Sequence, residues 1–444
     1  MIVGGSFAGL VAARVLADHF DEVVLVEQDE VTDETGVHPH TPQGHHAHAM
    51  LARGAEVLEG LFPGLRAELA RLGAPVYEYG ERINFLLPTG FAPRCETGVL
   101  IQSFTRGTLE RTLRRRVLES PRVVALSSVR CEALVSARAG AVTGVRYRPV
   151  GGGGESVVLD ADLVVDASGR AGGLDERLGA LGVVVPAPRV LDGRVTYASL
   201  NFPRTRTADF DVAYQMTFAP GIARGGVLVA VEGDRWTCSL LGHKDQAPPV
   251  DAAGYLGFAR SLGNPRLADH LTERSEAERV HRYTHVHSRW NQYHRGRGWP
   301  ERLVVVGDAV AAFNPVYGQG LTVAALEAEL LRRSLSARHS RGGGLDGVSR
   351  PFQRGVAGLV RGPWTLSGSS DLMWDQRKQP LTARISHWYN RRLLAAAVDD
   401  PKVWTRFVRV INMSASPGTL FHPTVVAKIV RTAVLTRAAP TARR

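Results

Sequence analysis

Gly4, Ser6 and Gly9 hold the spacing of a turn that lets backbone approach a pyrophosphate, with Ser6 where glycine is usual. Ser6 is small, and its hydroxyl is able to donate to a phosphate oxygen. Glu27 lies 18 residues after Gly9, close to the offset at which a carboxylate reaches a ribose hydroxyl. A second carboxylate, Asp308, follows the apolar run Leu303 to Val306 and precedes a turn from Pro315 through Gly318 to Gly320. At the end of a strand such a group accepts hydrogen bonds from sugar-like hydroxyls and suits a ribityl chain. The turn lets backbone lie against a flat ring, and a helix starting near Leu321 and Thr322 directs the positive end of its dipole there.

These residues need parallel strands and helices to hold them. Ile2-Val3 reads as the end of a buried strand, Leu10 to Leu16 as a helix with small residues facing a sheet, and Val23 to Val26 as the next strand. Only three residues precede Gly4, so this first strand is expected to begin ahead of the numbered chain. Leu163 to Val165 is another buried strand, ending in Asp166 and the Gly169-Arg170 turn. Between these parallel-type strands lie a helical stretch from Ala47 to Leu72, an excursion of strands from Val76 to Gln102, and a helix from Thr105 to Glu119. Gly151 to Gly154 reads as a hairpin loop, because no helix follows it. The chain then turns strand-rich from Val185 to Val286, as in a second domain built on an antiparallel sheet, and is largely helical from Arg341 onward.

Composition narrows the function. No apolar window is long enough to span a membrane and no leader pattern precedes the first strand, so a cytoplasmic protein is expected. Cys95, Cys131 and Cys238 are odd in number and far apart, which suggests neither a disulfide framework nor a zinc site. The net charge is +11, but of 54 basic residues only Lys244, Lys378, Lys402 and Lys428 are lysines. That skew suits GC-rich coding better than a nucleic-acid surface, and no nucleic-acid module accompanies it. Attraction to an anionic membrane surface needs charge alone; Trp388-Tyr389 and the run Leu393 to Val398, flanked by Arg391 and Arg392, are nevertheless expected to pack on the first domain.

The stretch GDAVAAFNPVYGQG, residues 307 to 320, resembles the flavin-binding motif of single-component FAD monooxygenases of the p-hydroxybenzoate hydroxylase fold. GGSFAG with Glu27 resembles that family's first motif, and Val165-Asp166-Ala167-Ser168-Gly169-Arg170 its middle one. The run Phe104 to Glu110 matches the helix that places an arginine near the flavin, which points to Arg106. PQGHHAHAM, residues 42 to 50, is similar to a signature of an actinobacterial branch that includes polyether epoxidases, themselves similar to squalene epoxidase. Two positions depart from the pattern: Ser6, and Thr322 where many relatives have asparagine.

The resemblance implies an α/β fold with a Rossmann-like FAD-binding domain (1–75, 101–180 and 287–340), an antiparallel-sheet substrate domain (76–100 and 181–286) and a helical C-terminal region (341–444). It implies non-covalent FAD held by Gly4, Ser6, Gly9, Glu27, His46, Arg106, Asp166, Asp308, Pro315, Gly318, Gly320, Leu321 and Thr322. A metal cluster from His38, His40, His45, His46 and His48 is not expected, since no cysteine or paired carboxylate stands at ligand spacing. NAD(P)H would reduce the flavin, directly or through a separate flavin reductase, and O2 would form the C4a-hydroperoxide whose distal oxygen is transferred. The substrate implied is an apolar polyene or aromatic natural-product intermediate, with Phe85, Tyr197 and Tyr214 as candidate walls. Epoxidation of an alkene needs no catalytic base, and none is assigned; hydroxylation of an aromatic ring is the alternative, and a non-catalytic flavin-binding protein a more distant one. None of the seven tryptophans makes the W-x-W pair of flavin halogenases, and no C-x-x-C of a disulfide reductase is present.

Overall fold

A computed structural model describes residues 1–30, 44, 46–136, 140–151, 153–271, 278–374 and 379–438. Five strands form a parallel sheet in the order Leu303–Val305, Val164–Asp166, Ile2–Val3, Val23–Val26, Val123–Leu126. Their side chains are mostly apolar and buried, as befits a sheet covered on both faces. The Phe7–Leu16 helix packs between the Arg106–Leu118 and Gly320–His339 helices, and a three-stranded antiparallel sheet, Val129–Ser136, Val142–Pro149 and Val157–Asp160, lies against the parallel sheet near Val164–Asp166. The helical stretch expected from Ala47 to Leu72 instead opens with a short strand, Ala49–Met50, and continues as two helices, Ala52–Leu61 and Leu65–Arg71. Gly64, at φ +80°, separates the two helices.

The second sheet has eight strands. Its core is antiparallel: His281–Trp290, Arg189–Pro203, Arg235–His243, Arg224–Val231 and Val212–Gln215 follow one another. Toward one edge Ile83–Leu87 from the early excursion joins Val212–Gln215 in parallel and carries the short outermost strand Gly90–Phe91, and at the other edge Ala311–Ala312 pairs with Arg289 and Trp290. Both additions matter for the site, since they bring distant segments onto one surface.

The C-terminal region divides its packing. The Ser349–Asp371 helix buries Phe352, Val356, Val360 and Trp364 in the core of the parallel-sheet domain. The Leu381–Asp399 and Pro401–Ile411 helices bury Leu393, Leu394, Trp404 and Val408 against Ile83, Phe85, Val212 and Val229 of the eight-stranded sheet. The apolar run after Trp388 therefore covers the second sheet and not the first domain, joined by Leu420, Val425 and Ile429 from further on, because the early strand excursion presents an apolar face there; Trp388 itself is exposed. Among the described residues no helix is long and apolar enough to cross a membrane.

Candidate functional site

Backbone geometry fixes the dinucleotide end. Gly4 has φ +99°, and a Cβ there would lie 2.5 Å from the Ala167 carbonyl oxygen; a Cβ on Gly9 would lie 1.8 Å from that of Gly4. The two glycines thus let the first strand, its turn and the Phe7–Leu16 helix approach more closely than any side chain allows. Ser6 stands at the N-cap, but its hydroxyl caps nothing in its own helix. It donates to Glu110 Oε1 at 2.7 Å and accepts from Arg106 Nη2 at 2.9 Å. Glu110 Oε1 also accepts from the Phe7 N–H at 3.0 Å and from Arg106 Nε at 2.9 Å. The expected donation from Ser6 to a phosphate is therefore replaced by one to a buried carboxylate. Glu110 was not singled out from sequence; its signal is an acid one helical turn after Arg106. Glu27 accepts the Gly5 N–H at 2.6 Å and the Asp29 N–H at 2.9 Å.

At the other end the Leu303–Val305 strand leads through Gly307, at φ +66°, to Asp308. Asp308 opens onto an internal cavity, and no described residue donates to its carboxylate. Burial within the protein raises its pKa, with Arg106 and Arg170 pulling it back down. Behind it Glu327 accepts the Gly307 N–H at 2.6 Å; burial pushes its carboxyl up to about 8, against the pull of that bond. Asn314 caps the turn Pro315–Tyr317 by accepting the Val316 N–H at 3.2 Å, and Gly318, at φ +61°, turns the chain into the Gly320–His339 helix.

A cavity of about 1010 Å³ joins the two ends, at the upper limit of ordinary ligand sites. Gly4, Ser6, Glu27, Arg106 and Asp308 border it, as do Pro315, Gly318, Gly320 and Leu321. It opens onto a chamber under the eight-stranded sheet, where Tyr197, Tyr214 and Tyr283 form walls. His46 is here too, its Nδ1 2.6 Å from Ser199 Oγ, which in turn is 2.6 Å from Ser239 Oγ. Tyr197 donates its hydroxyl to Asn314 Oδ1 at 2.8 Å.

Four candidates from the sequence lie off the cavity wall. Gly9 acts one layer behind it, through the close approach already described. Thr322 is fully buried with its hydroxyl 3.5 Å from Met50 Sδ, because its place on the helix turns it away from the ring end. Asp166 is also fully buried, accepting from Arg177 at 2.8 Å and Ser168 Oγ at 2.6 Å; Arg177, Ser168 and Arg170 are the ones that border the cavity. Phe85 packs between Tyr214, at 4.5 Å, and Trp404, at 5.4 Å between ring centroids, and belongs to the core beneath the C-terminal helices. His38, His40, Pro42, Gln43 and His45 lie outside the described residues.

No family model matches the chain. Its fold is shared with flavin-dependent brominase Bmp2 (TM-score 0.67, 14% identity, 98% of each chain covered). It is shared as well with p-nitrophenol 4-monooxygenase PnpA from Pseudomonas putida DLL-E4 (TM-score 0.64, 16% identity, 93% of this chain and 96% of that one). PqsL, a probable FAD-dependent monooxygenase from Pseudomonas aeruginosa, matches with a TM-score of 0.61 and 17% identity over 92% of this chain and 98% of that one. The architecture is thus the one found in FAD-dependent monooxygenases and halogenases. By sequence the chain is 31% identical over 432 residues to protein Rv3254 of Mycobacterium tuberculosis (strain ATCC 25618 / H37Rv), covering 93% of this chain and 89% of that one. It belongs to the family of Rv3254.

Proposed function

We propose that the protein is an FAD-dependent monooxygenase that inserts one oxygen atom of O2 into an apolar substrate, most simply by epoxidising an alkene. The observation that carries this reading is the single cavity that connects the Gly4 to Gly9 turn and Glu27 with Asp308 and the tyrosine-walled chamber. The residues present fit the cofactor. The helix N-terminus after Ser6 and the Arg106 guanidinium, which keeps N–H donors beyond those given to Glu110 and Ser6, suit a pyrophosphate. Glu27 retains acceptor sites for ribose hydroxyls, and Asp308 offers an unshared carboxylate to a ribityl chain. The Gly320–His339 helix directs its N-terminus at the ring end. Bound there, FAD would supply the reduction by NAD(P)H, the activation of O2 and the transferred atom.

The chain's own part is to orient the substrate and exclude water. Val227, Leu241 and Val286 give the chamber an apolar side with the three tyrosines, beside the polar groups His46 and Ser239. Burial pushes the Tyr214 phenol up to about 12 and Tyr197 well above its ordinary value, so both remain protonated and neither acts as a base. Such a chamber suits an alkene and keeps water from competing for the activated oxygen. One observation favours a second reading, aromatic hydroxylation: the His46 imidazole in the chamber, held on Ser199, could accept a phenolic proton.

The test is turnover of candidate polyenes and phenols under ¹⁸O₂ with NAD(P)H and bromide, with or without an added flavin reductase. One label in an oxirane, or in the ether or diol it opens to, supports epoxidation. A labelled phenol with every alkene intact transfers the assignment to hydroxylation, and a brominated product to halogenation. NAD(P)H oxidation that no substrate stimulates would leave a flavin-binding protein without this activity.

A further inference from the structure

Asp371 ends the Ser349–Asp371 helix, in the C-terminal region, yet its carboxylate lies beneath the Asn314–Tyr317 turn and is almost wholly buried. Oδ1 accepts from Asn314 Nδ2 at 2.9 Å and from the Tyr317 hydroxyl at 3.5 Å; Oδ2 accepts from the Ser288 hydroxyl at 3.4 Å. Asn314 passes the constraint on. Its Oδ1 takes the Tyr197 hydroxyl and the Val316 N–H, and its own N–H donates to Ser288 Oγ at 3.0 Å. The amide has one orientation that satisfies both sides, since the Val316 N–H needs the oxygen and Asp371 needs the nitrogen. Gly193 makes room for the carboxylate: a Cβ there would stand 2.9 Å from Oδ1.

We propose that Asp371 is a positioning residue of the cavity's ring end: through Asn314 its carboxylate fixes the Asn314–Tyr317 turn and the direction of the Tyr197 hydroxyl, and its protonation loosens both. The proposal deepens the flavin reading, on which the identity of the turn's ligand rests, but the network stands on the protein alone. All three groups on Asp371 donate to it, an arrangement made for an ionised carboxylate. Among the described residues no arginine or lysine pairs with it. The titratable groups facing it are Tyr317 from the turn, Tyr197 and Asp192 from the Arg189–Pro203 strand and, beyond Gly193, His243, which burial holds neutral with a pKa of about 4. Burial lifts the Asp371 carboxyl to about 7 against the pull of Asn314, Ser288 and Tyr317, with Asp192 adding to the rise. It therefore changes charge near neutrality. Once protonated it keeps Oδ1 for Asn314 Nδ2 but loses the charge that strengthens that bond, and a proton on Oδ2 forces the Ser288 hydroxyl to turn from donor to acceptor.

The experiment is hydrogen–deuterium exchange of the full chain at pH 6 and pH 8, corrected for intrinsic rates, on peptides spanning residues 309 to 320. Wild type, Asp371→Asn and Asp371→Ala are compared, and FAD affinity is titrated on the same samples. In wild type the Asn314 and Val316 amides should be about tenfold more protected at pH 8 than at pH 6, the scale of one hydrogen bond to a charged group. Asp371→Asn should abolish that difference, and Asp371→Ala should expose the turn at both pH values, while peptides of the parallel sheet stay unchanged in all three. A flat wild-type profile, a pH dependence that survives in Asp371→Asn, or a turn still protected in a folded Asp371→Ala overturns the proposal. If Asp371→Ala does not fold, the wild-type and Asp371→Asn profiles decide. A turn that responds as stated in a protein that binds no FAD leaves the positioning role intact and removes the flavin reading; FAD binding with an unresponsive turn does the reverse.

Discussion

Replacing Asp308 with alanine separates ligand binding from folding. No described residue donates to its carboxylate, so the substitution leaves no protein donor unpaired. The loss falls on whatever ligand hydroxyl the carboxylate accepts. A hydrogen bond to a charged group contributes about 1.5–3 kcal/mol, so FAD should bind roughly 10- to 150-fold more weakly. The apoprotein itself should be no less stable, because the carboxylate opens onto the cavity and bonds no described group of the protein. Glu27→Ala is the contrasting variant: it strips the acceptor from the Gly5 and Asp29 N–H groups and should weaken both FAD binding and the fold. pH adds a second signature. Because the Asp308 pKa is raised, wild type should lose FAD affinity as pH falls through that raised value, at a higher pH than for an ordinary aspartate, whereas Asp308→Asn should show no such loss. The assay is titration of apoprotein with FAD by quenching of flavin fluorescence, alongside urea unfolding. An Asp308→Ala affinity within twofold of wild type would remove Asp308 from the site and with it the case for a ribityl chain at this end of the cavity.

Other outcomes follow from the same geometry. Glu110→Gln removes one partner of the nearly buried pair with Arg106 and should cost about 3 kcal/mol or more in urea unfolding; the exposed Arg115–Glu119 pair, cut in the same way, should cost less than about 1 kcal/mol. Glu327 has a folded pKa of about 8 against an ordinary 4.5, so its favourable share of stability is complete below the unfolded value and disappears as pH rises through 8. Unfolding free energies measured from pH 5 to 9 should fall with pH relative to Glu327→Gln, and parallel curves would show that Glu327 does not titrate in that range. Trp404→Ala should destabilise by about 3–5 kcal/mol, as for a large buried aromatic, and uncover the eight-stranded sheet without changing FAD affinity. Leu393, Leu394, Ala396 and Ala397 are buried while Leu381, Ile385 and Trp388 of the same helix are exposed, so any flotation with anionic vesicles at low salt should be weakened by Trp388→Ala.

The parts of the site legible in the sequence are those imposed by the backbone. Gly4 and Gly9 stand where a Cβ would clash with backbone, Gly318 takes the left-handed turn that glycine favours, and Glu27 and Asp308 end strands whose apolar runs are visible. Partners brought from afar leave no local spacing to read. Ser6 and Glu110 are 104 residues apart, and Asn314 and Asp371 are 57 apart, so sequence reasoning left Ser6 to a phosphate and found no role for Glu110 or Asp371. Helix phase explains Thr322. Gly320 and Leu321 face the cavity, and two residues along an α-helix is a rotation of roughly 200°, which carries Thr322 from Gly320 round to Met50. The mixed edge of the second sheet was hidden for a related reason: Ile83–Leu87 alternates as a strand should, but its pairing with Val212–Gln215 spans more than a quarter of the chain.

The ring-end motif belongs to both sheets at once. Leu303–Val305 is the outer strand of the parallel sheet, Ala311–Ala312 the outer strand of the eight-stranded one, and Asn314, two residues on, is bonded to Tyr197 in that sheet and to Asp371 of the C-terminal region. A shift of the substrate chamber against the dinucleotide end must therefore be absorbed within residues 306 to 314 or passed to Asn314. Absorption is restricted, because the segment is almost entirely buried, Asn291 N–H and Nδ2 bond the Val310 and Ala309 carbonyls at 2.8 Å, and Gly307 is held by Glu327. Asn314 is then where a ligand in the chamber and one at the turn would be coupled, were both bound. Its amide serves both sides through opposite ends, the oxygen toward Tyr197 and the nitrogen toward Asp371, so tightening one bond polarises the group and strengthens the other. The C-terminal helices thereby do more than cover an apolar face: the first of them supplies the charge that sets the amide's direction.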